Sequence, residues 1–182
     1  MRTRTSPLLI PLFLCLGACA SAAKPEKMIP DEVELARHFP ESVRVVAGGG
    51  QDTNALWMSA IATKDFVTAL STAIEQTGLF SSVVRGPEGG DYQLEVLIVD
   101  LYRPAAGFNM TVTLTTSWKL THVATGRVVV QEFIDTPYTA TVGQAFVATT
   151  RIRVANEGAA RENIKQGLER LSQYDPAAEV AS

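Results

Sequence analysis

The chain has 182 residues, 46 % of them hydrophobic and 19 % charged, with a formal net charge of −3 at pH 7. That length suits one modest domain of globular composition, and an acidic balance without a Lys/Arg cluster argues against nucleic acid as a partner and against electrostatic attraction to anionic headgroups. Both cysteines, Cys15 and Cys19, fall in the first twenty residues, so the remainder must fold without a disulfide.

Residues 1–18 read as a secretory leader. Arg2 and Arg4 supply the positive start, and the apolar run from Leu8 to Leu16 is too short to span a bilayer, which takes about 20 residues. Leu16-Gly17-Ala18-Cys19 resembles the bacterial lipobox. That resemblance implies cleavage before Cys19, a diacylglycerol on its thiol and an N-acyl chain on its new amine, and no other cofactor. An ordinary cleavage after small residues, at Ala18-Cys19-Ala20 or Ala20-Ser21-Ala22, is the alternative. Several acyl chains hold a protein stably at a membrane where one does not. Ala20 in place of Asp after the lipidated cysteine implies, by the sorting rule of such lipoproteins, the outer membrane, with the domain facing the periplasm.

Residues 19–41 carry Pro25, Pro30 and Pro40 and no sustained period, which predicts a flexible tether before a single domain at 42–174 and a disordered tail at 175–182. Ser42 to Ala47 predicts a first strand. Gly48-Gly49-Gly50 lacks the Gly-Lys-Ser/Thr ending of a phosphate loop and reads as a plain loop. Leu56, Trp57 and Met58 then either close one end of the core or form an exposed contact patch. A helix follows, with Thr63 as N-cap, Phe66, Leu70, Ala73 and Ile74 on one stripe, and Gly78 to end it. Phe80 to Arg85 predicts a short edge strand open to a second copy or partner. Asp91 to Tyr102, apolar on both faces at its centre, predicts a central strand.

From Asn109 to His122 the sequence alternates with a period of two, Met110, Val112, Leu114, Trp118 and Leu120 against Thr111, Thr113, Thr115, Ser117, Lys119 and Thr121. This is a half-buried antiparallel strand, and Val128 to Ile134 returns as its hairpin partner, ended by Thr136-Pro137. From about Val142 to Tyr174 the period becomes helical, with Phe146, Ile152, Ala155, Ala159, Ala160, Ile164, Leu168 and Leu171 on one stripe. Glu157, Arg161, Glu162, Lys165, Glu169 and Arg170 fill the opposite face, and Gly158 predicts a bend or a close approach to the sheet. The economical assembly is an α+β two-layer sandwich, a mostly antiparallel four- to five-stranded sheet with two helices on the Trp118 face.

The sequence holds no H-E-x-x-H, no C-x-x-C and no clustered acidic loop, so neither a metal nor a catalytic site is expected. Its two histidines, His38 and His122, stand far apart, and Ser117 with His122 lacks a nucleophile elbow. Glu95 and Asp100, counted by strand alternation, fall on opposite faces and do not make an acid and base pair.

Phe66-Val67-Thr68-Ala69-Leu70 with Thr77-Gly78-Leu79-Phe80, Asp91 to Val96, and Trp118 before a Thr-Gly turn resemble small Gram-negative lipoproteins. These share the fold of the TolB N-terminal domain and of the auxiliary lipoproteins of ABC-type lipid transporters, and the lipopolysaccharide-assembly lipoproteins have a comparable layout. The resemblance implies a non-enzymatic outer-membrane lipoprotein that scaffolds an envelope transport or assembly complex. The expected contacts are Thr111, Thr113, Thr115 and Lys119, with Leu56, Trp57 and Met58. The alternatives are a lipid- or glycan-carrying module with an acyl chain between helices and sheet, and, third, a hydrolase.

Overall fold

The computed structural model describes residues 21–52, 60–105 and 107–175. In chain order the elements are α1 (Pro25–Met28), β1 (Phe39–Gly48), α2 (Thr63–Thr77), β2 (Phe80–Val84), β3 (Tyr92–Tyr102), β4 (Met110–His122), β5 (Arg127–Ala140) and α3 (Ala148–Leu171). They form the expected α+β two-layer sandwich, one five-stranded sheet ordered β2-β1-β3-β4-β5 with the helices packed against it. The sheet is mixed: β1 pairs in parallel with both β2 and β3, while β3, β4 and β5 run antiparallel.

Strand β4 behaves as its alternation predicts. Met110, Val112, Leu114, Trp118 and Leu120 are buried against the helices. Thr116 shares that face and is buried too, although polar, because Asn163 of α3 meets it. The Asn163 Oδ1 accepts from Thr116 Oγ1 at 2.8 Å and from Trp118 Nε1 at 3.3 Å, while its Nδ2 donates to the Ile134 carbonyl at 3.2 Å and to Thr136 Oγ1 at 3.0 Å. A buried polar group is tolerated when its partners are complete, and here one amide ties α3 to two strands.

Helix α3 comes close to the sheet through its glycines. A Cβ on Gly167 would stand 2.3 Å from the Trp118 ring, and one on Gly158 would stand 2.4 Å from the ring of Tyr138. The expected close approach at Gly158 is therefore present. Helix α2 ends as predicted at Gly78, whose φ of 63° and N–H hydrogen bond to the Ile74 carbonyl make a left-handed cap.

Several expectations need correction. Thr63 is the first residue of α2 rather than its cap, and its hydroxyl accepts the Gly50 amide at 3.1 Å. The glycine run is a tight crossing, since a Cβ on Gly49 would overlap the Ile98 carbonyl. Strand β5 runs through Pro137 to Ala140; as an edge strand it tolerates a missing amide where the outward side needs none. Phe146 does not share the buried stripe but is 87 % exposed, because α3 begins only at Ala148 and Phe146 lies in the connection before it. Glu157 is buried and pairs with Arg153 at 3.1 Å rather than lying on the wet face with Arg161.

The tether is the largest correction. From Ala23 onward it packs as a strap between α2 and α3, with Ala23 and Met28 buried and the Lys24 amide on Glu157 Oε1 at 3.1 Å. Lower down, the Ala36 amide donates to Ser172 Oγ at 2.9 Å, and Phe39 stacks on Phe80 at 4.8 Å. The folded unit thus begins some twenty residues before Ser42. At its other end, Asp175 is held by Arg37 at 2.7 Å.

Candidate functional site

Among the described residues no helix packs on the face of the sheet away from α2 and α3, and the pairing register orders its side chains into rows across β3, β4 and β5. Glu95, Lys119 and Gln131 share one row, Leu97, Ser117 and Phe133 the next, and Asp100, Thr115 and Asp135 another. The expected contact residues Thr111, Thr113, Thr115 and Lys119 all lie on this face. Three of them are engaged with neighbours: Thr111 and Thr139 hydroxyls are 2.9 Å apart, Thr115 donates to Asp135 at 2.6 Å, and Lys119 pairs with Glu95. Leu56, Trp57 and Met58 lie outside the described residues.

What stands free on the open face is apolar and comes from the flanking strands. Leu97 is 41 % exposed and Phe133 63 %, one on each side of Ser117, and Val99 and Tyr102 are also exposed. The sequence did signal this, since β3 is apolar at consecutive positions and VVVQEF places Phe133 out of phase with Ile134. The alternation of β4 alone drew attention to the threonines instead. Large apolar groups gathered on one face mark a contact surface more strongly than scattered ones.

A bulge between Ile98 and Asp100 breaks the alternation of β3, so Asp100 faces the same side as Glu95, contrary to expectation. The two carboxylates still make no acid and base pair, because the Leu97 row lies between them and Lys119 occupies Glu95. Ser117 and His122 are five positions apart on one strand, about 17 Å, and the His122 Nδ1 pairs with Thr125 Oγ1 at 3.0 Å. His38 donates to the Gly78 carbonyl at 2.7 Å. Among the described residues there is no cluster of metal-binding side chains and no helix long and apolar enough to cross a membrane.

The space between sheet and helices, where a carried acyl chain would sit, is filled by Trp118, Phe66, Leu94, Leu114, Leu120 and Ile164, all fully buried. The groove between α2 and β2, about 310 Å³ in volume, lies at the surface, lined by Val67, Ser71, Val83 and Arg85 among others.

No protein-family model matches the chain, and no curated protein does. Solved structures share its fold. Protein XCC0632 from Xanthomonas campestris, described as family DUF330, is 14 % identical with a TM-score of 0.66 over 90 % of this chain and 100 % of that one. The hypothetical protein CT253 from Chlamydia trachomatis is 8 % identical with a TM-score of 0.55 over 76 % of this chain and 99 % of that one. A Caulobacter crescentus protein assigned as a lipoprotein is 15 % identical, with a TM-score of 0.48 over 72 % of this chain and 88 % of that one.

Proposed function

We propose that this protein is a non-catalytic lipoprotein, anchored through acyl chains on Cys19 to the outer membrane and facing the periplasm. There it docks a protein partner of an envelope transport or assembly complex on the open face of its sheet. The observation that carries the docking surface is the row Leu97, Ser117, Phe133, in which two large, exposed apolar side chains flank a small polar one on the face away from the helices. Thr115, Lys119 and their acidic neighbours surround it as a polar rim, the arrangement of an interface with an apolar centre.

Phe133→Glu tests this surface, because an exposed side chain can be charged without disturbing the core. Affinity capture from solubilised membranes should lose the partner, as expected for a central aromatic whose loss costs about 2 kcal/mol or more of binding. Full partner recovery with a folded Phe133→Glu and Leu97→Glu pair would remove the open face from consideration. The anchor is tested separately, by the mass of the mature N-terminal peptide with and without Cys19→Ala.

A further inference from the structure

At the end of the sandwich where β3 meets β4 and β5 meets α3, the two connections carry a single charged residue, Arg103 where β3 ends, and Arg151 follows in the first turn of α3. No Asp, Glu, Lys or Arg occurs from Pro104 to Trp118 or from Thr136 to Thr150, in a chain that is 19 % charged. Each connection shows an aromatic ring to solvent: Phe108 and Phe146 are both 87 % exposed, with Val147 next to Phe146 at 47 % and Tyr102, the last residue of β3, at 62 %.

One buried guanidinium holds the two connections together. Arg151, 5 % exposed, donates from Nη1 to the Ala145 and Phe146 carbonyls at 2.8 and 2.9 Å and from Nη2 to the Gly107 carbonyl at 3.1 Å. The phenyl rings of Phe108 and Phe146 therefore stand on backbone fixed at neighbouring residues. That is a preorganised apolar tip rather than two loose loops.

The N-terminal strap aims at the same end. It runs upward from Ala36 beside Ser172 to Lys24 beside Glu157, and the Ala23 amide reaches the Ala60 carbonyl, just before α2 begins. Cys19 is four residues further and can lie no more than about 14 Å from Ala23. The first residue of α3 lies nine positions before Glu157, about 14 Å up the helix axis. A chain tethered at Cys19 cannot raise its lipid attachment far above the start of α3, so the connections beyond it are level with the attachment point.

Resting on the lipid anchor proposed above, we infer that this end of the domain lies against the bilayer, with Phe108 and Phe146 seated in the interfacial region. Phe is among the apolar residues that interfacial segments bury at the headgroup and acyl boundary, and the uncharged stretches from Pro104 to Asn109 and from Thr141 to Val147 enter it without the cost of desolvating a charge. The acyl chains and the rings would then fix the orientation of the domain, leaving the open sheet face upright and reachable from the side.

The test uses the lipidated chain in vesicles of phosphatidylethanolamine and phosphatidylglycerol. The acylated mature chain offers no free thiol, so Phe108→Cys, Phe146→Cys and, at the opposite end, Val123→Cys can each carry one environment-sensitive fluorophore. Labels at 108 and 146 should brighten several-fold on reconstitution and be quenched by spin-labelled lipid, while the label at 123 stays unchanged. Labels at 108 and 146 that behave like the one at 123 on a chain proven lipidated by mass would overturn this inference alone. A mature chain without acyl groups would overturn the anchor, and this inference with it.

Discussion

Trp118 and Ser117 are adjacent on β4, yet one is sealed beneath α3 and the other lies in the open between Leu97 and Phe133. On the inner side each group has a fixed place: Trp118 fits the gap left by Gly167 and donates to Thr116, and Asn163 completes the polar atoms around it. On the outer side, hydroxyls pair with exposed neighbours, contributing tenths of a kcal/mol each. The same strand thus carries fixed core packing on one face and a row of exposed polar groups on the other.

Trp118→Ala gives the largest effect, since it leaves a cavity and strips Thr116 and Asn163 of a donor; a loss of about 3–5 kcal/mol is expected in urea unfolding. Ser117→Ala, one residue away, should change stability by less than about 0.5 kcal/mol. Equal losses would erase the distinction between the faces. Gly167→Ala comes next. Its gain in helix propensity is about 1 kcal/mol, but the added methyl overlaps a ring that is itself fully buried, an overpacking cost at the upper end of about 1–3 kcal/mol. The net expectation is a loss of about 2 kcal/mol. Gly158→Ala should cost less, because the half-buried Tyr138 ring has room to swing aside.

The smallest effect belongs to Asp91. Its carboxylate accepts the Ser42 amide at 2.8 Å and the Ser42 hydroxyl at 2.7 Å, which together hold it below its ordinary 3.8 against some opposing desolvation. A lowered pKa in the folded state adds stability that is present above the ordinary value and lost as the pH falls through the lowered one. Asp91→Asn should therefore be slightly less stable than the parent at neutral pH, with the gap closing below pH 3.8. Denaturant midpoints measured across that range check it.

Local signals carried far. The alternation of β4, the stripe of α2 and the glycine that stops it needed only neighbours a few residues away to decide their state. What the sequence hid was settled over distance. Thr116 interrupts the apolar row of β4, and its partner, Asn163, stands 47 positions later. Met28 among prolines showed no period, so nothing local marked it as a core residue. The bulge at Val99 shifted Asp100 by one place and reversed the face assigned to it. Phe133 does not stand out locally, because its strand is an edge whose two faces look equally apolar in sequence.

The strap sets a condition on assembly. Its bonds to Glu157, Glu169 and Ser172 span 133 to 136 positions, so the earliest part of the domain to be synthesised is completed by the latest. Strand β1 likewise has to wait for β2 and β3 on its two sides. Contacts so remote along the chain close slowly. A polypeptide halted before α3 would leave Met28 and the inner side of β4 bare, a sticky intermediate that calls for escort until the last helix arrives.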